Sequence, residues 1–278
     1  MPTFDTPEPL SALVEFEIGT ARISASKRLD TVVTVLPSDG REEADVKAAE
    51  QAQVTCANGR LVVKGPKKRS MFGKGGSVEV NVELPAGSDV QGFAPAGVFS
   101  AEGRLGDVRF ESAAGDIHVS ETGAAFVKTE HGDVRLDRAT GDVEVDAAGR
   151  IDLGNIAGAA TVKNRKGDTT IGEVTGELRA KSANGRISVG VAHAGVEART
   201  DNGAIRLGEV ARGLVTLQTA DGDVEVGIHQ SSAAWLEVNS QAGTVHNSLG
   251  STDGPGEGAE TVQVRARTGL GDIVIRRA

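Results

Sequence analysis

The sequence predicts an all-β fold, a parallel β-solenoid of about 18 residues per two-strand coil with an irregular β-rich N-terminal cap, and three observations carry that expectation. Glycine fills 37 of 278 positions while aromatic residues are seven Phe and one Trp, so the chain turns often and packs small side chains. A five-residue phrase of Gly, often Asp, apolar, polar, apolar recurs, in full at Gly106-Asp107-Val108-Arg109-Phe110, Gly115-Asp116-Ile117-His118-Val119, Gly132-Asp133-Val134-Arg135-Leu136, Gly141-Asp142-Val143-Glu144-Val145, Gly222-Asp223-Val224-Glu225-Val226 and Gly271-Asp272-Ile273-Val274-Ile275. Alternate copies match better than neighbours: Gly154, Gly172, Gly190, Gly208 and Gly227 each follow a repeat glycine by five residues, where the intervening copies carry Lys163, Lys181 and Gln218. A meander needs no such two-unit period, whereas a coil that returns to the same place each turn does.

The first hundred residues are expected to form the β-rich capping region, 1–100, ahead of a solenoid repeat region, 101–278. Alternation of apolar and polar residues suggests strands at Leu13-Ile18, Ala21-Ser26, Thr31-Leu36, Val54-Cys56, Leu61-Lys64 and Val78-Leu84. One short helix fits Arg41 to Ala52, with Ser38 or Asp39 as its N-cap. Such a region would cover a terminal coil, whose open edge otherwise invites aggregation.

From Gly115 the coil starts fall at Gly132, Gly149, Gly167, Gly185, Gly203 and Gly222, each step close to 18 residues. Equivalent residues then stack about 4.8 Å apart. Two buried columns are expected on the first strand of each coil, Ile117-Val134-Ile151-Thr169-Ile187-Ile205-Val224 and Val119-Leu136-Leu153-Ile171-Val189-Leu207-Val226. The second strand supplies Ala125, Val143, Ala160, Leu178 and Val215, then Val127, Val145, Val162, Ala180 and Leu217. The Gly154-to-Gly227 column is expected at a corner needing positive φ. After Gly222, residues 248–260 read as an excursion before closing strands at Thr261-Arg267 and Asp272-Arg276.

The phrase Val78-Glu79-Val80-Asn81-Val82-Glu83-Leu84-Pro85-Ala86-Gly87, followed by serial Gly-Asp-Val units, resembles the bacterial putative-adhesin domain family, β-solenoids whose biochemical role is largely undefined. The resemblance covers the chain from about Val14 to the C-terminus. It implies a non-catalytic binding or scaffold protein and brings no catalytic residues with it.

Charge and composition narrow the partners. Thirty Lys and Arg against 39 Asp and Glu leave a net charge of −9, which argues against a nucleic-acid or anionic-membrane surface as the main partner. The single cysteine, Cys56, excludes an intrachain disulfide framework and a Cys-based metal cluster. The first thirty residues hold Asp5, Glu8, Glu15 and Glu17 and no apolar h-region, and no apolar run reaches about 18 residues, so no membrane span and a cytoplasmic protein are expected.

No catalytic constellation, metal site or cofactor is expected. The Gly-Asp aspartates fit turns, each carboxylate bonding its own local backbone, and the column Asp133, Arg150, Asp168, Arg186 alternates in sign as an ion ladder would. The five histidines are too scattered for metal ligation. Two basic features stand out as partner-binding candidates. One is a loop with Lys64, Lys67, Lys68, Arg69 and Lys74 around Met71 and Phe72; the other is a column of Lys163, Lys181 and Arg199 on successive coils, with Arg165 and Lys166 nearby. Both point to an unknown protein or an anionic, envelope-associated partner. The alternatives left open are a polysaccharide-processing β-helix enzyme and a protein that self-assembles into filaments, or a homo-oligomer.

Overall fold

The computed structural model describes residues 2–66, 75–250 and 260–278, and the chain divides into two units, Met1–Arg138 and Ala139–Ala278. In the second unit, alternating short strands fall into two parallel stacks. Val143–Ala147, Ala160–Asn164, Leu178–Asn184, Val196–Asn202 and Gly213–Asp221 pair in succession. Ile151–Ile156, Thr169–Val174, Ile187–Ala192, Ile205–Val210 and Val224–Ile228 do the same. The anticipated columns are the core: Ile151, Ile171, Ile187, Ile205, Leu207, Val215 and Leu217 are each no more than 1% exposed. Between the stacks only small aliphatic side chains fit, which is what period-2 alternation of Val, Ile, Leu and Ala supplies.

Corners are fixed by two polar ladders. The glycine that opens a coil has positive φ at Gly115, Gly132, Gly167, Gly185, Gly203, Gly222 and Gly271, a region open to glycine and costly for other residues. The Gly154-to-Gly227 column is not at such a corner. Gly172, Gly190 and Gly208 lie inside strands with ordinary φ, and what excludes a side chain is close approach, since a Cβ on Gly190 would run into the Gly172 carbonyl oxygen. Three residues before four of the coil-opening glycines, a threonine donates to the carbonyl of the preceding coil's glycine: Thr129 to Gly115 (3.0 Å), Thr200 to Gly185 (3.2 Å), Thr219 to Gly203 (2.9 Å) and Thr268 to Gly222 (2.8 Å).

The aspartates form the second ladder, and here the expected local turn bond is replaced by a bond between coils. Asp116 Oδ1 accepts from the Asp133 N–H (2.8 Å), Asp142 from Ala159 (2.9 Å), Asp168 from Arg186 (2.9 Å) and Asp223 from Asp272 (2.8 Å). The Asp168 carboxylate is therefore engaged by the Arg186 backbone, not by its guanidinium as an ion ladder would require. A carboxylate aimed along the stacking axis finds the next coil's N–H within reach because coils repeat at strand spacing.

The end of the second unit departs from sequence order. Thr261–Leu270 pairs with Gly213–Asp221 on one side and Ala233–Ala242 on the other. Ile273–Arg277 lies likewise between Val224–Ile228 and Val245–Asn247. The last strands in sequence are thus inserted, and residues 233–247 form the outermost coil.

In the first unit, parallel pairing reaches back to Ser11–Glu15, which lies between Arg60–Lys64 and Asp89–Arg104. The 16-residue strand Asp89–Arg104 serves both stacks: its first half pairs with Val108–Ala114, and its second with Ile18–Ser26 and Ile117–Thr122. Phe16, Phe99 and Phe110 pack at centroid distances of 5.5 and 4.9 Å, and Gly92 leaves room for the Phe99 and Phe110 rings. Antiparallel additions, Thr3–Asp5 on Asp30–Pro37 and Gln53–Ala57 on Arg60–Lys64, finish the edges. The strand expected over Leu13-Ile18 breaks at Phe16, whose ring turns inward. The helix is shorter than expected, Glu43–Glu50, with Glu42 at the N-cap position and no side-chain cap. Asp39 does not cap it because its carboxylate accepts from the Arg41 N–H (2.9 Å); Asp45 instead ties the helix to the sheet by accepting from the Ser77 N–H (2.8 Å).

Candidate binding surfaces

On the outer face of the second unit, Lys163, Lys181 and Arg199 stand opposite one another on adjacent strands, in register, as the 18-residue period implies. Asp146 precedes them in the row and Gln218 follows. The carboxylates nearby are already taken. Asp146 pairs with Arg165 (3.7 Å), Glu177 with Arg179 (3.1 Å) and Glu197 with Arg199 (3.1 Å). Lys163 and Lys181, both exposed, have no ion-pair partner among the described residues. Two ammonium groups one strand apart repel, so the pair is a ready position for an anionic group bridging both.

The first unit carries an open groove of about 420 Å³ that sequence reasoning missed. Its floor is a row across five strands, Lys64, Glu15, Phe93, Glu111 and Lys128, each opposite the next. Lys64 pairs with Glu15 (3.2 Å), Glu111 with Arg109, and the Arg109 guanidinium lies 4.1 Å from the centre of the Phe126 ring. Glu17, Pro95 and Glu130 complete the walls. The row was invisible in the sequence because Lys64, Glu15 and Phe93 come from strands whose register no repeat announces. Of the basic loop, only Lys64 belongs to the described residues; Lys67, Lys68, Arg69, Met71, Phe72 and Lys74 lie outside them.

The histidines sit apart, and four of the five stand beside a local partner: His118 by Asp137 (3.4 Å), His193 by Glu173 (2.8 Å), His229 by Glu209 (3.6 Å) and His246 by Thr244 (3.0 Å). Among the described residues no group of three or more His, Cys, Asp or Glu is placed to hold a metal ion. No helix of these residues is long and apolar enough to cross a membrane.

Stacked two-strand coils with glycine corners and outward charged rows define a parallel β-solenoid. The model of the Toastrack DUF4097 family matches residues 20–276, and the chain belongs to that family, as the Val78–Gly87 phrase and the Gly-Asp-Val series led us to expect. Among solved structures, the chain is similar to a putative adhesin from Bacteroides fragilis NCTC 9343, at 10% identity over 99% of this chain and 95% of that one, with a TM-score of 0.40. It is similar also to a putative adhesin from Parabacteroides distasonis ATCC 8503, at 12% identity over 98% and 95% of the two chains, with a TM-score of 0.35. A curated relative, transcription elongation factor GreA of Cereibacter sphaeroides (strain ATCC 17025 / ATH 2.4.3), is 32% identical over 80 residues, 29% of this chain. The chain spans about half the length of that relative, 51%.

Proposed function

We propose that this chain is a non-catalytic binding protein whose stacked coils act as a scaffold for surface recognition, and that the Lys163, Lys181 and Arg199 row engages an anionic partner. The observation that carries this reading is the in-register Lys163 and Lys181 pair, neither of which forms an ion pair among the described residues, the adjacent Asp146 pairing with Arg165 instead. A regular parallel sheet repeats a side chain at strand spacing, about 4.8 Å, and so converts a sequence period into a linear charge array suited to phosphate or carboxylate groups along a surface. The net charge of −9 keeps that attraction local. The basic segment running on from Lys64 is the second candidate contact.

The test uses poly-L-glutamate and, separately, vesicles of phosphatidylcholine with and without phosphatidylserine, at low and high salt. The double variant Lys163→Gln, Lys181→Gln should bind about tenfold more weakly and with a shallower salt dependence. Its melting temperature should be unchanged or slightly raised, because the substitution removes a repulsion. Undiminished binding by the variant would transfer the contact to the segment following Lys64.

A further inference from the structure

We propose that residues 233–247, the outermost coil of the second unit, form a self-complementary edge through which two copies of this chain join as a closed dimer. Ala233 donates its N–H to the Glu260 carbonyl (2.9 Å), on the side of the inserted strand Thr261–Leu270. In a parallel ladder, successive residues turn their backbone groups to opposite sides. The N–H and C=O groups of Ala234, Leu236, Val238 and Ser240 therefore face outward along a ten-residue strand.

Edges of this kind are ordinarily blunted by lysine, proline, a bulge or brevity. In the first unit, Thr3–Asp5 and Gln53–Ala57 are three and five residues long. The strand Ala233–Ala242 has none of these devices. Its one charged residue, Glu237, is held by Arg265 (3.3 Å) and Arg267 (2.8 Å) on the neighbouring strand. Leu236 and Val238 continue the columns of Val264 and Ala266, which are 0% exposed, yet are themselves only half-buried. Trp235 is 75% exposed and Val245, which continues the Ile273 column, 42%. Among the described residues, the core therefore ends in an open cross-section.

A second copy fits this edge. A two-fold axis along the sheet normal reverses strand direction while keeping each residue on its own face. Centred on Val238, it sets Leu236 opposite Ser240, Trp235 opposite Gln241 and Glu237 opposite Asn239 of the other copy, so no like charges meet. Leu236, Val238 and Ser240 of both copies then lie on one face, so the half-buried apolar side chains continue across the joint. An isologous contact closes at two copies, unlike the open chain of a filament. The ten residues of Ala233–Ala242 on each side are fewer than a typical 20–30, so the dimer should dissociate in the micromolar range.

Sedimentation velocity from about 1 to 100 μM should show monomer giving way to dimer. Trp235 is the only tryptophan, so its fluorescence should become less accessible to acrylamide over the same range. Val238→Pro removes an outward N–H with no partner among the described residues, and Trp235→Lys places a cation at the contact. Both variants should remain monomeric, with circular dichroism and melting like the parent's. Should Val238→Pro fail to fold, Trp235→Lys, which leaves the core untouched, decides alone. A parent chain that stays monomeric throughout, a Trp235→Lys variant that dimerises like the parent, or assemblies that grow beyond two copies would each overturn the proposal.

Discussion

Ser182 occupies the position at which the following coils place Thr200 and Thr219, three residues before a coil-opening glycine, but its hydroxyl is buried without a hydrogen-bond partner. The cause is one coil back. Asn164 donates to both the Gly149 (3.0 Å) and Gly167 (2.9 Å) carbonyls, and Gly167 is the one that the repeat assigns to Ser182. An unmade bond leaves only the desolvation penalty, so Ser182→Ala should be neutral or stabilising. Thr219→Ala breaks a 2.9 Å bond to Gly203 and should cost about 1 kcal/mol. Urea melts of the two variants check the contrast, and equal losses would mean that the hydroxyl ladder does not stabilise the corners. The glycines separate in the same manner. Gly185 combines positive φ with a Cβ that would strike the Gly167 carbonyl, whereas nothing lies within 4 Å of a Cβ on Gly250. Gly185→Ala should lower the melting temperature by many degrees or prevent soluble expression, and Gly250→Ala should leave it unchanged.

At the scale of the strand, alternation was legible because it has a physical cause in the pleat: Ile187 is 1% exposed while Ser188, one residue on, is only partly covered. Ile187→Asp puts an unpaired charge into a stacked column and should abolish soluble protein, and Ser188→Asp should be tolerated. If both express alike, the assignment of faces is wrong. The Lys163, Lys181 and Arg199 row could be read from spacing alone, since one period generates it. What could not be read was any contact between segments that share no period. The groove floor joins Lys64, Glu15, Phe93, Glu111 and Lys128 from five strands, and the inserted strands Thr261–Leu270 and Ile273–Arg277 exchange places with the coil before them. One local signal was present and overlooked. The series Thr129, Asn164, Ser182, Thr200, Thr219 and Thr268 precedes glycine by three residues in each case, and it marks the hydroxyl ladder. The aspartate ladder misled because Gly-Asp is also a turn dipeptide, and only the stacking geometry decides between its own backbone and the next coil's. Asp168→Ala should therefore lower the melting temperature by a few degrees, with Asp168→Asn largely retaining stability by keeping an acceptor oxygen for the Arg186 N–H.

For the molecule as a whole, a few carboxylates held below their usual range, Asp30, Glu43, Asp137 and Asp272, set the acid limit of stability. The backbone and side-chain hydrogen bonds from Thr244 hold Asp272 below the usual range, and the Arg28 guanidinium does the same for Asp30. Burial pushes Asp137 upward, but the hydrogen bonds from Arg135 and His118 outweigh it and leave the group lowered; Glu43 is lowered by Lys47. A carboxylate with a lowered folded pKa contributes stability that is complete above its unfolded value, about 4, and is lost as pH falls through the folded value. At the other end, burial raises the Cys56 thiol, so the unfolded thiolate is favoured once pH exceeds about 8.5. Stability should accordingly be flat between about pH 5 and 8, fall steeply below about 4 and decline gently above 8.5. The acid limb should come first in the outermost coil, because Asp272 Oδ1 accepts both the Thr244 N–H (2.7 Å) and its hydroxyl (2.8 Å) where that coil begins its last strand. Trp235 in the same coil reports this region directly. As pH is lowered, its fluorescence should change before the far-ultraviolet circular dichroism does, and the gap should close in Asp272→Asn, which keeps an acceptor oxygen but cannot titrate. Coincident transitions in the parent chain would show instead that the coils of this unit unfold as one.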